Sequence, residues 1–130
     1  METREPGAEI DELARSVIGA AIEVHRVLGP GFVEAVYEEA MCLELAAREI
    51  PFARQVSIGI DYKGHLIGEG RLDLWIAEQL IVELKSVDAL NEIHMAQVLS
   101  YLRITHSSLA LLINFNVPLL KQGIKRVVLS

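Results

Sequence analysis

Two charged residues that could act together lie on one short predicted strand. In the segment IVELK, residues 81–85, Glu83 and Lys85 are two positions apart, and side chains two apart on a strand point to the same face. Val82 and Leu84 then point to the opposite face, so the two charges stand on a strand that otherwise looks buried. Because burying an unpaired ion is costly, such charges need a partner or a bound cation. A Glu-Lys ion pair at an exposed sheet edge explains this strand, taken alone, equally well.

A second acid, Asp73, lies about ten residues earlier, in the segment RLDLW at residues 71–75. Alternation places it between Leu72 and Leu74, on the adjoining arm of a predicted hairpin. Two carboxylates on neighbouring strands can share a hard divalent cation, and oxygen ligands suit magnesium or manganese. The Lys85 ammonium would orient a water or hydroxide, or stabilise the charge that develops when a phosphodiester is attacked, while the metal acts as a Lewis acid.

A stripe of polar side chains lies on a later predicted helix. His94, Gln97 and Tyr101 stand at positions i, i+3 and i+7 and point the same way. Such a stripe is more often a solvent-facing or partner surface than part of a catalytic site. A role for His94 as a metal ligand is disfavoured, because hard cations prefer oxygen.

An earlier predicted helix carries three glutamates, Glu34, Glu38 and Glu39. Glu38 and Glu39 are typical of a solvated helix face. Glu34 follows a glycine turn near the start of the helix, where the helix dipole favours an acid without any catalytic role.

Patterns of apolar residues predict the elements that must position these groups. Helices are expected at residues 10–28, 33–48 and 90–104, and strands at 54–62, 66–76, 79–86, 108–114 and 124–129. Gly29-Pro30-Gly31 and Pro51 end the first two helices, and Lys63-Gly64-His65 forms a hairpin turn. The apolar run at 108–114 favours a strand covered on both faces. The resulting order, α-α-β-β-β-α-β-β, predicts an α/β fold with helices packed on a mixed sheet.

Two details of the first hairpin follow from the same patterns. In the strand at 54–62, Val56, Ile58, Ile60 and Tyr62 share one side, whereas Gln55, Ser57 and Asp61 share the other, so the strand is expected to bury the apolar side and expose the polar one. In the second strand, Gly68 and Gly70 indicate a bulge or a close approach of the backbone to another element.

Several segments together resemble the GxxExxY protein family of the PD-(D/E)xK nuclease superfamily. They are GFVEAVY at 31–37, RLDL at 71–74, VELK at 82–85 and LINFN at 112–116, and the similarity runs from about residue 10 to residue 129. The resemblance implies a restriction-endonuclease-like core in which Asp73, Glu83 and Lys85 form the D…ExK site. It also implies that Glu34 matches the helical glutamate that often completes the metal site. Leu72 stands where the superfamily's name has a proline.

The same resemblance gives the polar helix a role. Gln97 and Tyr101 are similar to the QxxxY motif of RecB-like nucleases, in which the glutamine supports the active site and the tyrosine contacts substrate.

Composition bounds the class of protein. The 130 residues, 52% hydrophobic and 23% charged, fit one globular, soluble domain spanning residues 1–130, with a flexible N-terminal tail at 1–8. No apolar run reaches the roughly 18 residues of a membrane-spanning helix, and the N-terminal segment is too acidic for a targeting peptide, so a cytoplasmic location is expected. One cysteine, Cys42, excludes an internal disulfide and a cysteine-based zinc cluster.

The net charge of −6 argues against tight unassisted binding to DNA, because phosphate binding draws on a basic surface. Bound cations would partly neutralise the acids, and basic residues recur at Lys121, Lys125 and Arg126. The function predicted is a Mg²⁺- or Mn²⁺-dependent nuclease acting on nucleic acid, with DNA as the expected substrate. Asp73, Glu83 and Glu34 are the expected metal ligands.

Two alternatives stay open at this stage. One is a catalytically inactive interaction module that retains the nuclease fold and works within a protein or nucleic-acid complex. The other is a structural homodimer in which Glu83 and Lys85 merely form ion pairs. A homodimer or a larger complex is also open for the nuclease itself, because a lone acidic domain lacks an obvious basic surface.

Overall fold

A computed structural model describes residues 6–129 of the chain. The helices are α1 (Ala8–Leu28), α2 (Glu34–Ala47) and α3 (Glu92–Thr105), and the strands are β1 (Phe52–Tyr62), β2 (His65–Ile76), β3 (Leu80–Lys85), β4 (Ala110–Asn114) and β5 (Ile124–Val127). A short 3-10 helix, Leu120–Gly123, precedes β5. The predicted order of elements is confirmed. Of the expected N-terminal tail, residues 1–5 lie outside the described residues, and α1 already begins at Ala8.

The five strands form a sheet in the order β1-β2-β3-β4-β5. Neighbouring strands are antiparallel except for β3 and β4, which are parallel. A parallel pair requires a crossover connection, and α3 provides it. The mixed sheet and its flanking helices confirm the predicted restriction-endonuclease-like α/β class. Within residues 6–129, no helix is long and apolar enough to cross a membrane.

The sheet has a hydrophobic core on each face. The first core lies between the sheet and the helices α1 and α2, and the second lies under α3. On β3, Val82 and Leu84 enter the first core and Ile81 enters the second. Strand alternation therefore places Glu83 and Lys85 on the same face as Ile81, the face that α3 covers. β4 is buried along its whole length, as its apolar run predicts.

The β1–β2 hairpin crosses from one core to the other. Phe52 and Leu74 pack against the first core, whereas Val56 and Leu72 pack with the second. Strict alternation would keep residues 52 and 56, and likewise 72 and 74, on one face. The crossing occurs at Gln55, whose φ of 53° is left-handed. The interpretation of β2 as a simply alternating strand is therefore wrong at Asp73.

The outer part of this hairpin agrees with the glycine signals. The register shifts between Ile60 and Asp61, opposite Gly68, which is a β-bulge. A Cβ atom on Gly70 would lie 2.9 Å from Cε1 of Tyr101, so α3 approaches the strand closely at that point. Tyr62, expected on the buried side of β1, is instead 57% exposed, because the hairpin extends beyond the helices at its tip.

Candidate active site

Asp73 and Glu83 lie where β2 and β3 stop pairing through their backbones. The backbone pairing joins Leu74–Ile76 to Leu80–Val82. One step further, Oδ2 of Asp73 accepts a hydrogen bond from the Leu84 amide at 2.8 Å, and Oε2 of Glu83 accepts one from the Asp73 amide at 2.7 Å. The two carboxylates thus replace backbone carbonyls as the acceptors that join the strands.

Burial makes these acids hard to ionise. Glu83 is 3% exposed, and burial together with the nearby Asp73 charge raises its pKa to about 8, although the Asp73 amide and Lys85 act in the opposite direction. Burial also raises the pKa of Asp73, against the lowering effects of the Leu84 amide and Lys85. The charge of Lys85 therefore only partly compensates the two acids.

The α2 helix brings Glu34 to the same group of charges. Burial raises the pKa of Glu34, the Asp73 charge raises it further, and Lys85 lowers it. The side-chain cap at the start of α2 is absent, because Val33 occupies the cap position. The helix dipole accounts for an acid at this position, and the fold additionally turns that acid toward Asp73 and Lys85.

Glu38, one turn further along α2, is buried, and its expected place on a solvated face is wrong. Its Oε2 atom accepts from Nε of Arg54 at 2.7 Å, and its Oε1 atom accepts from Nε2 of Gln55 at 2.5 Å. The buried carboxylate is thus satisfied by two side chains of β1. Glu39, by contrast, is exposed, as expected, and pairs with the same arginine.

Arg54 and Gln55 are the polar neighbours of the site that sequence patterns missed. Nε2 of Gln55 lies 3.5 Å from Oδ1 of Asp73 in addition to its bond to Glu38. Alternation predicts Gln55 on the solvent side of β1, and the residue is indeed exposed, but its contacts with the two acids were not predicted. The left-handed backbone at this residue redirects its side chain, and no residue type in the surrounding segment signals that conformation.

The three polar residues of α3 do not join this group. Nδ1 of His94 accepts from the Asn91 amide at 3.2 Å and so caps its own helix. Gln97 is exposed, and Tyr101 packs against the second core beside Gly70. In the described part of the chain, no hydrogen bond or ion pair connects these three residues to Asp73, Glu83 or Lys85. Their roles stay predictions.

The expected set of three carboxylate ligands is not assembled at metal-binding distances. Among residues 6–129, no three carboxylate, imidazole or thiol groups converge closely enough to hold a metal ion. The donor chemistry nevertheless fits a hard divalent cation, because Asp73 and Glu83 offer only oxygen atoms as ligands. One oxygen of each carboxylate accepts a hydrogen bond from a backbone amide. The raised pKa values of Glu34, Asp73 and Glu83 show that added positive charge would be favourable here.

The family model of the PD-(D/E)XK nuclease superfamily matches residues 11–127. The chain belongs to this superfamily. The match includes Glu34, Asp73, Glu83 and Lys85, and nucleases of the superfamily generally use divalent metal ions. The narrower assignment to the GxxExxY family stays a prediction. A search of curated proteins gave no match to the chain.

Proposed function

We propose that the chain is a metal-dependent nuclease that hydrolyses phosphodiester bonds of nucleic acid, with DNA as its substrate. One observation carries the proposal. A buried carboxylate, Glu83, and a half-buried one, Asp73, stand beside Lys85 where two strands part, in a chain of a nuclease superfamily. Buried acids with raised pKa values and a specific charged partner are typical of functional sites.

Asp73 and Glu83 would hold the cation, Mg²⁺ or Mn²⁺, through the carboxylate oxygens that the backbone amides leave available. When bound, the cation supplies Lewis acidity at the phosphate and lowers the pKa of water. Lys85 would orient the attacking water and stabilise the negative charge on the phosphate oxygens. The raised pKa of Glu34 suits it to accept a proton from that water or to serve as an additional ligand.

Gln97 and Tyr101 are proposed as supporting residues on the substrate side. α3 covers the sheet face to which Glu83 and Lys85 belong by alternation, and Gln97 is exposed on that helix. An exposed amide can donate to a phosphate or a base. The pair would then contact nucleic acid without contacting the carboxylates.

The charge distribution supports weak unaided binding of DNA. Of the three basic residues near the C-terminus, Arg126 forms an ion pair with Asp11, which leaves Lys121 and Lys125 to meet phosphates. So few contacts favour a homodimer or a larger assembly as the working form, and this form stays a prediction. The single domain and the cytoplasmic location expected from the sequence also stay predictions.

Metal-dependent cleavage tests the proposal directly. Wild type and Lys85→Ala are compared on single-stranded, duplex and branched DNA with Mn²⁺ or Mg²⁺, and Arg15→Ala serves as a control at an exposed basic residue of α1. Lys85→Ala should lower the cleavage rate about 10²- to 10³-fold, the usual effect of removing one charge-stabilising donor. Equal metal-dependent rates in wild type and Lys85→Ala would exclude the proposed mechanism.

A second candidate is the inactive interaction module, and the tip of the β1–β2 hairpin favours it. Tyr62, Leu66 and Ile67 are 57%, 72% and 64% exposed there, and clustered exposed apolar residues are typical of partner surfaces. Calorimetry separates the candidates. No Mn²⁺ binding by the intact protein, together with a stable protein partner, would favour the module.

A further inference from the structure

Gln55 has a left-handed backbone at the point where the β1–β2 hairpin crosses between the two cores. Left-handed conformations are unfavourable for residues other than glycine. The other non-glycine residues with positive φ in the described chain lie in turns or at helix ends: Glu49, Lys63, Ala77, Glu78 and His106. Gln55, with φ 53°, lies inside β1 instead. A turn or a helix end therefore does not explain it.

The left-handed backbone lets two consecutive side chains reach one carboxylate. On a regular strand, Arg54 and Gln55 would point to opposite faces. Here Nε of Arg54 and Nε2 of Gln55 donate to the two oxygens of Glu38, at 2.7 Å and 2.5 Å. Glu38 is only 8% exposed, so both donors are needed to satisfy a buried carboxylate.

The Gln55 amide also faces the candidate active site. Its Nε2 atom lies 3.5 Å from Oδ1 of Asp73, while Oδ2 of the same carboxylate accepts from the Leu84 amide at 2.8 Å. The position of the amide is itself fixed by its bond to Glu38. Asp73 therefore accepts a short hydrogen bond from the backbone of β3 at one oxygen, and at the other a long one, at the limit of hydrogen-bonding distance, from a side chain anchored to α2.

We propose that Gln55 is a positioning residue that sets the orientation of the Asp73 carboxylate, and that its unfavourable backbone serves this placement as well as the crossing between the cores. Strained backbone conformations persist mainly where function requires them, and groups that orient a metal ligand commonly alter metal affinity when removed. The inference rests on the proposed metal-dependent function, because it assigns Gln55 to the same site.

Gln55→Gly should lower Mn²⁺ affinity strongly while it changes stability little. Glycine removes the side chain and also relieves the left-handed strain. The denaturation midpoint should stay close to that of wild type, because the relieved strain offsets the loss of the donor to Glu38, whereas Mn²⁺ affinity measured by calorimetry should fall about tenfold or more. Gln55→Asn provides a second variant, because asparagine tolerates this backbone but has a shorter side chain, and it should show the same pair of effects.

Glu49→Gly is the matched control, since Glu49 has φ 58° but lies at the end of α2. It should raise the midpoint, because it relieves left-handed strain without removing a donor to Glu38, and it should leave Mn²⁺ affinity unchanged. A residue with a merely structural role at position 55 would give a lower midpoint with unchanged affinity, and that result in both Gln55 variants would overturn the proposal.

Hydrogen exchange of the Leu84 amide separates this inference from the nuclease proposal. In metal-free protein, loss of the Gln55 side chain should make that amide exchange about tenfold faster, because its acceptor Asp73 is less restrained. Glu49→Gly should leave the exchange rate unchanged. If wild type binds no Mn²⁺, the metal-dependent function fails, yet faster exchange in Gln55→Gly still supports the positioning role. Unchanged exchange in that variant would refute it whatever the metal result.

Discussion

The two ends of the β2–β3 hairpin are held together by different chemistry. Near the turn, backbone hydrogen bonds join the strands, and Ile76, Leu80 and Val82 are fully buried. At the other end, the carboxylates of Asp73 and Glu83 accept the hydrogen bonds. The first end stabilises the fold through apolar burial. At the second end, burial raises the pKa values of the two acids and so opposes their ionisation. Such a cost in stability is expected where a functional site is maintained.

The largest effect on stability is expected at the apolar end. Ile76→Ala should lower the free energy of unfolding by about 2–5 kcal/mol, because it removes a fully buried side chain and leaves a cavity. Ile67→Ala on the same strand is the control, and it should change stability by less than about 0.5 kcal/mol because Ile67 is exposed. Denaturant titration measures both. If Ile76→Ala lowered the Mn²⁺ binding free energy by as much as it lowers the free energy of unfolding, the two ends of the hairpin would not be separable.

Stability of the metal-free protein should fall as the pH rises. The folded-state pKa of Glu83, about 8, lies above its ordinary value of 4.5. The neutral form is therefore favoured by folding, and its contribution is fully present below about pH 4.5 and lost as the pH passes 8. The raised pKa values of Asp73 and Glu34 act in the same direction. Denaturant unfolding in a chelator between pH 5 and 9 should show a loss on the order of 2–4 kcal/mol.

Glu83→Gln identifies the source of this pH dependence. Glutamine imitates the neutral acid and keeps an acceptor for the Asp73 amide, so the variant should lose much of the slope. Glu78→Gln, in the exposed turn between β2 and β3, should retain it. A wild-type stability that rises with pH would contradict the conclusion that Asp73 and Glu83 are only partly compensated by Lys85.

Substitution of Asp73 separates hydrogen bonding from charge. Asp73→Ala leaves the buried Leu84 amide without its acceptor and should cost about 1–3 kcal/mol of stability. Asp73→Asn keeps an acceptor oxygen and should be nearly as stable as wild type. Both variants should lose Mn²⁺ binding in calorimetry. A loss of stability without any loss of metal affinity would favour the purely structural role of these charges.

The apolar end is also the part that the sequence predicts well. Helix and strand periods locate the three α-helices and the five strands because burial repeats along them, although they do not predict the short 3-10 helix, and the spacing of Glu83 and Lys85 predicts that both lie on one face. Asp73 is the limit of that reasoning. Its alternation with Leu72 and Leu74 fails, because the hairpin crosses between the cores at the left-handed Gln55. Glutamine carries no local preference for that conformation, so tertiary contacts must impose it.

Helices α2 and α3 show the same limit of reasoning from sequence periods, in opposite ways. Glu38 has the spacing of a solvated residue, and its burial depends on Arg54 and Gln55, which are 16 and 17 residues away in the chain. Gln97 has the spacing of a functional residue, yet among residues 6–129 no hydrogen bond joins it to Asp73 or Glu83. A helical period identifies which residues share a face. It does not give the distance from that face to a site on another element.

The smallest effect is expected from Gln97. Because Gln97→Ala removes an exposed side chain that, within the described part of the chain, forms no hydrogen bond to Asp73 or Glu83, Mn²⁺ affinity should stay within about twofold and stability within about 0.5 kcal/mol. DNA cleavage should fall about tenfold, through a weaker contact with substrate. Ser100→Ala, exposed on the same helix, should leave cleavage unchanged. If Gln97→Ala lost as much Mn²⁺ affinity as Asp73→Asn, α3 would belong to the metal site. The contrast between α2 and α3 would then disappear.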